Sequence, residues 1–148
     1  MKPTTRRFGA VAAVLIATAA TTVTGAATAQ AAACTGTTGV TVVVDLTAFG
    51  GGISTGCALG DPASGLSALT GAGFTYAFVP RFPGLICRIN ALPNPCNGAP
   101  VTAYWSYWHA TPGGSWSYST GGAGSHNPAP GAVEGWAFGS GGRPGQAP

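Results

Sequence analysis

Residues 104–119 read YWSYWHATPGGSWSYS, six aromatic rings in sixteen residues, and whichever sheet face holds those rings becomes the core. Two short strands flanking Thr111-Pro112-Gly113-Gly114 predict a β-hairpin. A turn of two or four residues sets Tyr107 opposite Tyr118 and His109 opposite Trp116. Strand alternation then sorts the side chains. Trp105, Tyr107, His109, Trp116 and Tyr118 share one face, expected to be the core beneath a helix. Tyr104, Ser106, Trp108, Ser115, Ser117 and Ser119 share the other. There Tyr104 and Trp108 stand among hydroxyls as a candidate ligand surface, with His109 and Trp136 as further members of the ligand-binding set. The plainer alternative is that such rings are cross-strand neighbours that stabilise a sheet and bind nothing.

Outward from the hairpin, GVTVVVDL (39–46) is rich in β-branched residues and predicts a central strand. AFGGGISTGCALG (48–60) is too rich in glycine for regular structure. DPASGLSALTGAG (61–73) predicts one short helix, with Asp61 as N-cap, Pro62 in the first turn and Gly71 or Gly73 as the stop. Leu66 and Leu69 would face the core, with Gly65 and Ala68 allowing close approach to a sheet. FTYAFV (74–79), LICRIN (85–90) and VEGWAFG (133–139) predict further strands. SGGRPGQAP (140–148) has the composition of a flexible tail.

Lys2, Arg6 and Arg7 precede the apolar run FGAVAAVLIATAATTV, which is followed by small residues up to Cys34. This predicts a secretory leader over residues 1–33, a domain over 34–139 and a tail over 140–148. The leader's apolar run falls short of the roughly 20 residues of a spanning helix. Cleavage after Ala31 and after Ala33 both satisfy the small-x-small rule. A twin-arginine signal at Arg6-Arg7 and a lipidated Cys34 are the sharper alternatives, and the neighbouring residues fit neither pattern well. Without residues 1–33 the charges are Arg81, Arg88 and Arg143 against Asp45, Asp61 and Glu134, a formal sum of zero. Nucleic acid and anionic membranes are therefore not expected partners.

Cys34, Cys57, Cys87 and Cys96 all lie beyond the leader. An even number of cysteines in an exported chain predicts two disulfides. Of the three pairings, Cys34–Cys57 with Cys87–Cys96 is preferred, because the second encloses only RINALPNP. Each bridge would supply about 2–4 kcal/mol to a small domain.

Taken together, VTVVVDL, SGLSAL, CRIN, YWSYWHA, WSYS and VEGWAF resemble the transcobalamin-like C-terminal domain family, and in particular its small actinobacterial secreted members. The resemblance implies an α+β, β-grasp-like domain, with a mixed or antiparallel sheet of about five or six strands and one short helix. It implies a non-enzymatic binding or surface module, whose partner is a small cofactor-like ligand or another exported protein. A carbohydrate-binding module or a structural envelope protein is the competing class.

Asp45, Asp61 and Glu134 are the only carboxylates, each isolated in sequence, which leaves no evident acid–base pair. No GxSxG motif occurs. His109 and His126 with Glu134 could hold a metal if the fold joined them, but lone histidines are mostly neither ligands nor catalysts. No metal, cofactor or enzymatic activity is expected.

Overall fold

The computed structural model describes residues 32–148, so the expected leader lies outside the described residues except for Ala32 and Ala33. Strand β1 (Val40–Asp45) pairs antiparallel with β2 (Ile53–Ala58). The chain then forms α1 (Gly65–Gly71), β3 (Tyr76–Val79) and β4 (Phe82–Ile89). It continues through β5 (Tyr104–Ala110) and β6 (Ser117–Tyr118) to β7 (Val133–Gly139). The main sheet has the order β2-β1-β7-β5-β6, while β3 and β4 form a separate two-stranded sheet. Because β1 runs parallel to β7 and β5 antiparallel to it, the sheet is mixed. An α+β arrangement with a β1–β2 hairpin, one α-helix among the described residues and a first strand beside the last is β-grasp-like, as expected. Both preferred disulfides are present, Cys34–Cys57 and Cys87–Cys96.

Both faces of β1 are covered, which is why its valines can run almost without interruption. Val40, Val42 and Val44 are fully buried in the core with Ala68, Leu69, Ile89, Trp105, Tyr107 and Trp136.

Four expectations need correction. The helix is capped by Ser64 rather than Asp61: Ser64 Oγ accepts from Ser67 N, and Ser67 Oγ accepts from Ser64 N, a reciprocal capping box. The glycine-rich segment is regular over Ile53–Ala58, which forms β2, and Gly56 there lies so close under Ala72 that a Cβ would overlap the Ala72 carbonyl. Tertiary packing selects glycine here; it does not mark a loop.

The third correction concerns the aromatic hairpin. Trp108 pairs with Tyr118 and His109 with Ser117, one residue away from the register that an even-numbered turn gives. A one-residue slip turns every β6 side chain over. Trp105 and Tyr107 keep their place in the core, but Trp116 moves to the opposite face. Its ring covers Gly135, where a Cβ would stand 2.6 Å from the indole, and its Nε1 donates to Gln146 O at 2.7 Å.

The fourth concerns residues 140–148. They lie back across the outer face of the sheet, where Pro144 is buried. Gly142 O accepts from Ser106 Oγ at 2.8 Å and from Trp108 Nε1 at 3.1 Å. Gly145 N donates to Asp45 Oδ2 at 2.7 Å. Backbone groups make these contacts, so a glycine- and proline-rich composition does not reveal them.

Asp45 is the anchor of this segment. Burial pushes its carboxyl up, but the Thr47 hydroxyl and the Gly145 and Thr47 N–H groups outweigh burial and hold it below the ordinary value of 3.8. A lowered carboxylate contributes stability above its unfolded value and loses it as pH falls through the folded one. Asp45→Ala should therefore loosen residues 140–148 at neutral pH, whereas in the parent chain this contact should be lost only below pH 3.8, the bonds from Ser106, Trp108 and Trp116 remaining. Limited carboxypeptidase digestion at pH 7 checks this; equal rates for the two proteins would refute the anchor.

Candidate functional site: an aromatic pocket beside a buried Tyr-Glu-His cluster

The β5–β7 register sets Trp105 opposite Phe138, Tyr107 opposite Trp136 and His109 opposite Glu134. All six side chains therefore project from the core face. Tyr107 stacks on Trp136 with ring centroids 4.5 Å apart, and Trp105 meets Phe138 edge-on at 5.5 Å. Because β6 leaves β5 after two residues, this stack is uncovered at one end. A cavity of about 150 Å³ opens there. Trp105, Tyr107 and Trp136 line it, with Tyr104, Tyr118 and Leu85 around them. The Tyr104 and Tyr118 hydroxyls lie 3.1 Å apart.

The four tryptophans differ in one respect. Trp105 Nε1 donates to Leu92 O, Trp108 Nε1 to Ser106 Oγ and Gly142 O, and Trp116 Nε1 to Gln146 O. Trp136 Nε1 is buried and has no hydrogen-bond partner, the one such side-chain atom among the described residues. Leaving a buried donor unpaired costs about 1–3 kcal/mol, and the residue that carries this one also lines the cavity.

Next to the stack, Glu134 is fully buried on the central strand β7. Its Oε2 accepts from the Tyr107 hydroxyl at 2.5 Å. Its Oε1 lies 3.4 Å from His109 Nδ1 and 3.2 Å from His126 Nε2. The two imidazole rings are 3.8 Å apart. His126 comes from the loop between β6 and β7, which is tied to the start of α1: Gly65 N donates to His126 O at 2.9 Å and Leu66 N to Ala123 O at 3.2 Å.

Burial pushes the Glu134 carboxyl up to about 7, against the opposing effect of the Tyr107 hydrogen bond. The Tyr107 hydroxyl is pushed above its usual range by burial, then by the charge of Glu134 and by the hydrogen bond to it. Burial and the neighbouring His126 push His109 down to about 4. At neutral pH His109 is thus a neutral imidazole beside a carboxyl near its own midpoint. A depression of about 380 Å³, lined by His109 and His126 with Ser117, Ser119, Thr120 and Ser125, leads to the pair from solvent. Among the described residues, His109, His126 and Glu134 are those whose donor atoms could hold a metal; the cysteines cannot, since none is free.

The four candidate ligand residues are distributed over two faces. Tyr104 and Trp136 line the aromatic cavity. Trp108 lies on the outer face, edge-on to Tyr118 at 5.1 Å and bonded to the C-terminal segment. His109 belongs to the Glu134 cluster. Sequence reasoning missed Tyr107 as the partner of Glu134, and Trp105 and Tyr118 as cavity residues. The available signal was parity: His109, Tyr107, Glu134 and Trp136 alternate in step along two strands.

The fold and these two depressions define a small disulfide-linked α+β module with an aromatic cavity and a histidine-lined depression at the β5–β6 end of the sheet. A family model described as SCO2322-like domain matches residues 97–147. That stretch holds β5, β6, the His126 loop, β7 and the C-terminal segment, and so most of the site. No curated protein and no solved structure matches the chain.

Trp105 and Trp116 now have opposite expected roles. Trp105 is 4% exposed, and Trp105→Ala should cost about 3–5 kcal/mol, as large-to-small changes in a core do. Trp116→Ala removes packing and a hydrogen bond at the outer face only, and should cost about 1–2 kcal/mol. Urea denaturation of both variants measures this; a larger loss at Trp116 would mean that the hairpin register is the even one.

Proposed function

We propose that this protein is an exported, non-enzymatic binding module whose aromatic cavity takes one ring-sized group bearing a hydrogen-bond acceptor. The group belongs to a small-molecule ligand or to a partner exported protein. The observation that carries this reading is the buried, unpartnered Nε1 of Trp136, a residue that lines the cavity. A ligand acceptor that meets this donor after a small shift of the indole would relieve its cost, and the rings lining the cavity would supply apolar contact. About 150 Å³ holds one ring, so the remainder of any larger ligand lies outside.

Export is supported by the leader-like residues 1–33 and by two disulfides, which persist in oxidising compartments. No helix among the described residues is long and apolar enough to cross a membrane. The sequence resemblance to the transcobalamin-like C-terminal domains favours binding over catalysis. Balanced charge beyond residue 33 argues against nucleic acid or an anionic membrane as the partner.

A carbohydrate-binding role is the second reading, favoured by the Tyr104 and Tyr118 hydroxyls and Ser119 beside the rings. It ranks below the first because the cavity lining contains no Asn, Asp, Gln or Glu.

The test is a ¹⁵N–¹H spectrum, in which four tryptophans give four indole N–H signals. Titration with aromatic carboxamides and with methyl glycosides should shift the Trp136 indole signal first, and Trp136→Phe should weaken that binding at least several-fold. Carboxamide binding alone supports the first reading and glycoside binding alone the second. Probes that shift other indole signals while Trp136 stays fixed would refute the assignment.

A further inference from the structure

We propose that His109 Nδ1, His126 Nε2 and Glu134 Oε1 form a binding site for a divalent transition-metal ion of the Zn²⁺ class, with one coordination position open to solvent. The three donor atoms lie within 4.8 Å of one another, and Oε1 stands 3.4 and 3.2 Å from the two nitrogens. For metal–ligand bonds of 2.0–2.1 Å, the edge of a tetrahedron is about 3.3 Å. The carboxylate is therefore already at coordination spacing from both imidazoles.

The ligands are also held from behind. Glu134 cannot turn, because its other oxygen accepts from Tyr107. This leaves Oε1 as a single, oriented donor of the kind that outer hydrogen bonds create around metal sites. His109 is fixed opposite Glu134 by the β5–β7 ladder. His126 sits on a loop whose backbone is bonded to Gly65 and Leu66 of α1. Such a site is placed by sheet register and by a helix end rather than by a loose loop.

Two imidazoles and a carboxylate suit Zn²⁺ and its neighbours in the first transition row, whereas Mg²⁺ and Ca²⁺ prefer all-oxygen sets. Three protein ligands leave a fourth position for water or an incoming group, and the hydroxyl-lined depression gives access to it. In sequence the two histidines are isolated, and isolation of this kind argues against a ligand role. The three donor atoms belong to residues that do not line the Trp136 cavity, although the two depressions share Tyr118, Ser119 and Gly121 and Tyr107 stands between them.

The oxidised chain, stripped with chelator, is titrated calorimetrically with ZnCl₂ and separately with CoCl₂ under visible absorption. The expected result is one ion per chain, a cobalt spectrum of four-coordinate type, no response to MgCl₂, and a raised melting temperature with zinc. His126→Ala is a change at a partly exposed loop residue and spares the fold. It should weaken zinc binding by about 100-fold or more, and Tyr107→Phe by about 10-fold, as loss of an outer-shell partner does. Trp136→Phe should bind zinc as the parent does. No saturable binding, or equal binding by the parent and His126→Ala, overturns the proposal and leaves a hydrogen-bonded cluster only.

Discussion

The hydrogen bond from Tyr107 to Glu134 is the contact on which the rest of the structure depends. It joins two neighbouring strands through side chains as well as through the ladder, and it satisfies one oxygen of a carboxyl that is only 1% exposed. A buried carboxyl without a donor would be costly enough to favour another register. The helix begins directly above this pair: a Cβ on Gly65 would overlap the Tyr107 hydroxyl and stand 2.8 Å from Glu134 Oε2. Glycine at that one position lets α1 descend onto the sheet. The amide of the same residue then holds the His126 loop.

Around this contact the sheet is covered on both sides by different means. On the core side α1, the β3–β4 sheet and the 119–128 loop close over aliphatic and aromatic side chains. On the outer side the covering is the chain's own C-terminal segment, held by Asp45, Ser106, Trp108 and Trp116. The aromatic cavity and the histidine-lined depression both lie at the β5–β6 end. Tyr118, Ser119 and Gly121 line both. Tyr107 touches both systems too, stacking on Trp136 and donating to Glu134. A ligand against the ring stack and an ion at Glu134 would thus meet across a single tyrosine.

Much of the fold was legible in the sequence. The β-branched run of β1, the alternation in β5 and β7 and the short loop between Cys87 and Cys96 each report local physics. What was not legible depends on distant partners. β2 was obscured because Gly56 answers to Ala72 and not to its own neighbours. The C-terminal segment was obscured because it is held mainly through its backbone. The hairpin faces were misassigned on β6 because the loop length has odd parity, which Thr111-Pro112-Gly113-Gly114 does not announce. The candidate site was half visible. Tyr104 and Trp136 were named as ligand residues and do line the cavity, but His109 and Glu134 stand 25 residues apart, and only the β5–β7 register makes them neighbours.

The dependence of the fold on the Tyr107–Glu134 contact beneath Gly65 is tested most directly by a double-mutant cycle on Gly65→Ala and Tyr107→Phe, read from denaturant unfolding. Gly65→Ala alone should cost about 1–3 kcal/mol through overpacking, and Tyr107→Phe alone about 1–3 kcal/mol through an unpaired acceptor. In the double variant the added methyl group no longer meets a hydroxyl, so the combined cost should fall short of the sum by about 1 kcal/mol or more. Costs that simply add would contradict the account, because they would show that α1 does not rest on this pair.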